Sequence, residues 1–254
     1  MRVSLIETDT AWEDPAANRN RIRENLPASG DLSVFPELSF SGFTMQPEPD
    51  PEAEPFLQDL ARERGTAIVA GYVADGPRNR AVAVDARGEV LARYDKLHPF
   101  SYAGEHESYV PGNELPIFEL SGIRTALLIC YDLRFPGPFR EAALRGAQLF
   151  CVIASWPAAR VDAWRTLLRA RAFENQAYVI GVNRVGADPQ AEYVSSSRAV
   201  APDGEVLCDG PGTVEVDGAR VDQLRATFPL LSDVRGDRYR YGEWAGSPEP
   251  GAVR

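Results

Sequence analysis

Lysine is almost missing from this chain: of its 27 basic residues, Lys96 alone is not an arginine. Histidine is nearly as scarce. With only His98 and His106, a multi-histidine metal site or a serine–histidine–aspartate triad has little material to work with. Cysteine occurs three times, at Cys130, Cys151 and Cys208. An odd, sparse set of thiols in a chain of 254 residues does not make a disulfide framework and points to reduced thiols in a cytoplasmic protein. No apolar run approaches the roughly 20 residues of a membrane-spanning helix. The N-terminus, Met1-Arg2-Val3-Ser4-Leu5-Ile6, reads as a strand entering a domain rather than as a secretion signal. Positive charge is in deficit too. The net charge is −10 and the arginines are scattered, which argues against nucleic acid and against an anionic membrane surface as partners.

What is present suits one large α/β domain spanning residues 1–254: 44% hydrophobic content and no linker that would split it. Strand-like and helix-like runs alternate. Arg2 to Glu7 is β-like. Asp14-Pro15 is an N-cap followed by proline at the first helical position, opening a helix to about Leu26. Leu32 to Phe35 is a short strand ending at Pro36-Glu37. A helix over Pro55 to Arg64 and a strand over Thr66 to Val73 follow. Arg80 to Val84 and Glu89 to Tyr94 flank a turn and read as a hairpin. Leu97 to Leu115 is a long irregular stretch, of the kind that in a compact domain is usually functional or disordered.

The second half repeats much of this order. Strands over Arg124 to Ile129, Gln148 to Ala154 and Ala177 to Asn183 alternate with helices over Pro138 to Arg145 and Val161 to Asn175. Ala67-Ile68-Val69-Ala70-Gly71 echoes Ala177-Tyr178-Val179-Ile180-Gly181. Val84-Asp85-Ala86-Arg87-Gly88-Glu89-Val90-Leu91 echoes Val200-Ala201-Pro202-Asp203-Gly204-Glu205-Val206-Leu207. The shared order and spacing favour two pseudo-equivalent halves, most simply two facing sheets with helices outside.

Three residues stand at or just beyond the ends of these strands: Glu37, Lys96 and Cys130. Strand ends are where loops converge on a rigid scaffold to form sites. Cys151 lies inside an apolar strand and Cys208 ends a hairpin strand, both ordinary places for a small buried hydrophobe. Cys130 instead meets the polar turn Tyr131-Asp132-Leu133-Arg134-Phe135-Pro136 that leads to a helix, where nearby backbone N–H groups favour a thiolate. A nucleophilic thiol needs a base, and neither histidine comes with an obvious orienting partner. Glu37, straight after a buried strand, is an odd place for a solvated carboxylate and is placed to act as that base. Lys96 supplies a compact cation for an oxyanion, which the wide planar fork of arginine would not replace in a tight site.

Phe35-Pro36-Glu37, Tyr94-Asp95-Lys96-Leu97-His98 and Ile129-Cys130-Tyr131-Asp132-Leu133-Arg134-Phe135-Pro136 resemble, in order and spacing, the three signature segments of the nitrilase superfamily of carbon–nitrogen hydrolases. The resemblance covers almost the whole chain. It implies a four-layer α-β-β-α sandwich with pseudo-two-fold related halves, a general base at Glu37, an oxyanion stabiliser at Lys96 and a nucleophile at Cys130. Gly104-Glu105-His106-Glu107-Ser108-Tyr109-Val110-Pro111-Gly112 resembles the segment holding the family's second active-site glutamate, which makes Glu105 its equivalent. Phe35 to Phe43, Ala154 to Pro157 and the run from Arg169 to Gly186 are similar to the ω-amidase branch, whose members hydrolyse the terminal amide of short 2-oxo-dicarboxylic monoamides such as 2-oxoglutaramate. Cys130-Tyr131-Asp132 departs from the Cys-Trp-Glu of true nitrilases.

The reaction so implied needs no metal or organic cofactor. The backbone N–H of Tyr131 would share the oxyanion with Lys96. Arg134, in the turn that should rim the pocket, is a candidate for the substrate's carboxylate, with pairing to Asp132 or another loop acid as the structural alternative. Tyr102, Phe43 and Trp156 are candidates for the pocket wall. The family resemblance also implies a homodimer, with the chain beyond about residue 227 at the subunit interface. An amidase for deaminated glutathione or for N-carbamoyl amino acids remains open at this point, as does a catalytically silent relative that serves as a binding module.

Overall fold

Asp14 opens the first helix as its position predicts: Asp14 Oδ1 accepts the N–H of Ala17 at 2.9 Å, and Pro15 begins the helix. In the computed structural model, which describes residues 1–235, the first half runs β1 (Arg2–Leu5), α1 (Pro15–Asn25), β2 (Leu32–Val34), α2 (Ala53–Arg64), β3 (Ala67–Ala74), β4 (Arg78–Val84) and β5 (Val90–Asp95). The short helix α3 (Glu105–Ser108) and β6 (Ile117–Leu120) lead to β7 (Ile123–Ile129), α4 (Pro136–Leu144), β8 (Leu149–Ala154), α5 (Val161–Asn175) and β9 (Tyr178–Asn183). The chain continues through β10 (Gly186–Ala187), β11 (Glu192–Tyr193), β12 (Arg198–Val200), β13 (Val206–Asp209), β14 (Gly212–Glu215) and α6 (Gly218–Thr227). The stretch expected to be irregular, Leu97 to Leu115, holds α3 and a 3₁₀ turn over Ser101–Ala103. Most of the tail assigned from the sequence to a subunit interface, residues 236–254, lies outside the described residues.

Two six-stranded sheets result, in the orders β14-β1-β2-β3-β4-β5 and β6-β7-β8-β9-β12-β13, the latter read from its β6 edge. Each has the same plan. An antiparallel edge strand flanks three parallel strands, and two antiparallel strands complete the sheet. The echoes read from the sequence fall on equivalent places. Ala67 to Gly71 lies in β3 and Ala177 to Gly181 runs into β9, the third parallel strand of each sheet. The register shift between Ala83 and Val84 matches one between Ala199 and Val200.

Alternation along β3 shows how the layers form. Ala67 and Val69 join the core shared with the second sheet, whereas Ile68 and Ala70 pack with Ile22 of α1 and with Leu57, Leu60 and Ala61 of α2. On the other side, Phe139 of α4 and Trp164 and Leu168 of α5 cover the second sheet. The order is therefore helices, sheet, sheet, helices. The parallel strands bring their C-terminal ends, and the residues that follow them, to the same end of the two facing sheets.

Candidate active site

Glu37, Lys96, Glu105 and Cys130 come together in one buried cluster. Glu37 follows β2, Lys96 follows β5, Glu105 opens α3 and Cys130 follows β7. Lys96 Nζ donates to Glu37 Oε1 at 2.8 Å and to Glu105 Oε1 and Oε2 at 3.0 and 2.8 Å. Asn79 Nδ2, from β4, donates to Glu37 Oε1 at 2.7 Å and to Glu105 Oε1 at 2.9 Å. The remaining oxygens are held by backbone: Glu37 Oε2 accepts the Ser155 N–H at 2.7 Å, and Glu105 Oε2 accepts the Phe100 N–H at 2.5 Å. Every carboxylate oxygen is thus hydrogen-bonded, as burial at this depth demands. Cys130 Sγ lies 4.0 Å from the Ser155 carbonyl oxygen.

Local backbone serves this convergence. Cys130 has φ +45° and Leu38, just after Glu37, has φ +46°. For residues with a Cβ the left-handed region is costly, and it persists where surrounding structure over-determines it. Two glycines admit the segments that carry Glu37 and Lys96 by close approach. A Cβ on Gly71 of β3 would stand 2.6 Å from the Leu38 nitrogen and 2.9 Å from Glu37 Cα, and one on Gly112 would stand 2.2 Å from the Asp95 carbonyl oxygen. Gly112 also donates its N–H to the Lys96 carbonyl at 2.9 Å.

The charges of the cluster act on one another. Burial raises the pKa of the Cys130 thiol and the negative charge of Glu37 raises it further, so that against the pull of Lys96 it stays well above the ordinary thiol value. Burial alone would lower the Lys96 ammonium, but Glu105 and Glu37 outweigh it and hold that pKa well above the usual lysine range. Burial also raises Glu105, with Lys96 opposing and Glu37 adding to the shift. A protonated thiol beside a hydrogen-bonded carboxylate and a fixed ammonium is the starting arrangement for base-assisted nucleophilic attack.

Cys130 opens onto a cavity of about 540 Å³ whose wall includes Phe43, Tyr131, Arg134, Trp156 and Arg160. Phe43 and Trp156 are buried, and the Phe43 ring lies 5.3 Å from Lys96 Nζ. Tyr102 lines the same cavity, but 81% of it is exposed, so it stands at the mouth rather than in a core. Arg134 does not pair with Asp132. Its guanidinium lies over the Trp156 ring, 5.0 Å from the centroid.

The sequence reading of the histidines needs correction. His98 does have an orienting partner, with Nδ1 2.7 Å from Asp132 Oδ1, and its ring stacks on Phe135 at 3.9 Å between centroids. Asn79, the Ser155 N–H and Arg160 were also missed. Arg160 lies over the rings of Phe100 and Tyr102, at 5.4 and 5.1 Å from their centroids. Asn79 did leave a signal, as the one amide side chain in the strand Arg78-Asn79-Arg80-Ala81-Val82-Ala83-Val84.

Comparison with known proteins agrees with this fold. The family model described as carbon-nitrogen hydrolase matches residues 3–226. A 2-oxoglutaramate amidase of Bacillus subtilis is 32% identical over 255 residues, covering 93% of this chain and 98% of its own. The omega-amidase YafV of Yersinia enterocolitica is 37% identical, covering 92% of this chain and 96% of its own. Among solved structures, a CN-hydrolase superfamily protein of Xanthomonas campestris with an arsenic adduct in its active site superimposes with a TM-score of 0.85. It is 33% identical over 92% of this chain and 97% of that one. An amidase from Nesterenkonia sp. superimposes with a TM-score of 0.82 at 28% identity, over 94% of this chain and 95% of that one. Sheet order, facing layers and sequence relatives lead to one family: this chain belongs to the carbon–nitrogen hydrolases, enzymes that cleave carbon–nitrogen bonds other than peptide bonds.

Proposed function

We propose that the protein is a cysteine-dependent amidase that hydrolyses the terminal amide of a small 2-oxo-dicarboxylic monoamide, of the 2-oxoglutaramate type, to the acid and ammonia. The observation that carries this reading is the juxtaposition of the buried Glu37–Lys96–Glu105 cluster with Cys130 at the floor of a cavity rimmed by Arg134. The names of the 2-oxoglutaramate amidase and omega-amidase relatives support the substrate class.

Glu37 takes the thiol proton as Cys130 Sγ attacks the amide carbon, and the oxyanion forms against Lys96 and the backbone N–H of Tyr131. Glu37 then returns the proton to the departing nitrogen, ammonia leaves, and an acyl thioester on Cys130 remains. Water, losing a proton to the same carboxylate, attacks the thioester and releases the carboxylic acid and the thiol. Glu105 shares the ammonium of Lys96 with Glu37, holding it in place, and shares in fixing Asn79. Arg134 takes the distal carboxylate as a charge-assisted pair, with Phe43, Trp156 and Tyr131 walling the middle of the cavity and Tyr102 its mouth. A cavity of about 540 Å³ is ample for a five-carbon acid amide.

The same reading takes residues 1–254 as one hydrolase domain, acting as a homodimer in the cytoplasm. In support, all three cysteines are free, and no helix among the described residues is long and apolar enough to cross a membrane. Ammonia release is the test, measured on 2-oxoglutaramate, on deaminated glutathione and on an N-carbamoyl amino acid, with Cys130→Ala as control. Greater kcat/KM on either of the last two would replace the substrate assignment. Absence of turnover together with an unreactive Cys130 would favour a silent binding module.

A further inference from the structure

Asp132 is fully buried, and no step of the reaction above uses it. Its carboxylate gathers four contacts. Oδ1 accepts the His98 backbone N–H at 3.0 Å and lies 2.7 Å from His98 Nδ1. Oδ2 accepts the Tyr94 hydroxyl at 2.7 Å and the Ile129 backbone N–H at 3.1 Å. The partners fall into two groups. Tyr94 and His98 stand two residues before and two after Lys96, at the end of β5 in the first sheet. Ile129 and Asp132 itself bracket Cys130, at the end of β7 in the second sheet. One carboxylate therefore fastens both flanks of the ammonium's segment to both flanks of the thiol's, across the gap between the sheets.

We infer that Asp132 is a positioning residue that sets the separation and orientation of Lys96 and Cys130. The inference rests on the roles given to those two residues under the proposed function. Four hydrogen-bond contacts converging on one buried side chain leave it little play. The strained φ of Cys130 needs surroundings that over-determine it, and the bond from Ile129, one residue earlier, is the nearest such restraint. Stacking on Phe135 fixes the tilt of the His98 ring, so the Oδ1 arm is rigid as well. Misplacement of reacting groups by about 1 Å can cost on the order of a hundredfold in rate. That is the scale on which this brace would act.

A carboxylate that merely satisfied buried donors would affect stability alone, so the test reads turnover per reactive thiol. Asp132→Asn keeps the shape but turns an NH₂ group towards donors, while Tyr94→Phe and His98→Phe, the latter keeping a ring to stack on Phe135, each remove one arm. Cys130 is titrated with iodoacetamide to count active sites, and kcat and KM are measured for the best amide of the wild type. We expect Asp132→Asn to lose about a hundredfold in kcat per titrated thiol with KM within about threefold. The single-arm variants should each lose several-fold in kcat. If Asp132→Asn fails to fold, the single-arm variants decide. Unchanged kcat per titrated thiol in the folded variants, whatever their melting temperatures, would overturn the brace. Cys130→Ala separates the two levels of argument: retained amidase activity there would overturn the proposed function and this inference with it. An inactive Cys130→Ala beside fully active brace variants would overturn the inference alone.

Discussion

Glu37 and Glu105 share two donors: Lys96 Nζ and Asn79 Nδ2 each reach both carboxylates, at distances between 2.7 and 3.0 Å. Two buried carboxylates so close repel unless cations or strong donors lie between them. The single lysine of the chain fills that position. Its three hydrogens suit acceptors on different sides, and its compact head fits where an arginine fork would collide with one carboxylate or the other.

Lys96→Arg is therefore expected to lose at least about a hundredfold in kcat, the scale of losing one oxyanion donor. In a chain that uses arginine at every other basic position, the charge itself is unchanged. Steady-state rates together with a thermal melt check it, and a fully active Lys96→Arg enzyme would make the lone lysine an accident of composition.

Glu37→Gln separates the base from the thiol's ionisation. The negative charge of Glu37 pushes the Cys130 thiol up, so its removal lowers the thiol's pKa. The pH at which iodoacetamide modification of Cys130 rises should move down, giving more thiolate at a given pH. Amide hydrolysis should nevertheless fall by about a hundredfold or more, within the usual range for a lost general base. A mutant that shows an upward shift, or that keeps its turnover, would remove Glu37 from the role of base.

Gly112→Ala should disturb the site from a distance. The added Cβ would stand 2.2 Å from the Asp95 carbonyl oxygen, which belongs to backbone and has no flexible end to move aside. Overpacking of this kind costs about 1–3 kcal/mol, and the strain falls on the residue immediately before Lys96. Chemical denaturation should show the loss, accompanied by reduced kcat. A variant with unchanged stability would show that the Lys96 and Gly112 segments can separate freely.

How much of this was open to the sequence depends on the range of the interaction. The halves were legible because β3 and β9 carry similar strings and because both hairpins turn at a glycine, Gly88 and Gly204, followed by Glu-Val-Leu. Glu37 and Cys130 were legible because each follows an apolar run, and Lys96 because it is the one lysine of the chain. Asn79 was passed over because its side chain acquires meaning only through the register of β4 beside β5, where Asn79 also accepts the Lys96 backbone N–H through its carbonyl. His98 and Asp132 are 34 residues apart, and their pairing depends on the two sheets facing each other, which local patterns do not encode. Arg160 looked like any other scattered arginine until the turn after Ser155-Trp156-Pro157 placed it in the cavity wall.

Substrate choice should rest on the arginines of that wall. Neither Arg134 nor Arg160 forms an ion pair with a carboxylate among the described residues, and both are held over aromatic rings instead. An arginine fixed in this way keeps its donors for an incoming anion. Hydrogen bonds to a charged partner are worth about 1.5–3 kcal/mol, which converts to roughly ten- to a hundredfold in kcat/KM. Arg134→Ala should lower kcat/KM by that factor for a 2-oxo-dicarboxylic monoamide and far less for a neutral amide of similar length. The ratio of the two values cancels any general damage to the pocket, since that would slow both substrates alike. Arg160→Ala, measured beside it, tells whether the carboxylate is held by one guanidinium or by both. If the ratio stays at its wild-type value in Arg134→Ala, that residue's part reduces to its stacking on Trp156. The preference for an acidic amide would then have to come from another part of the cavity wall.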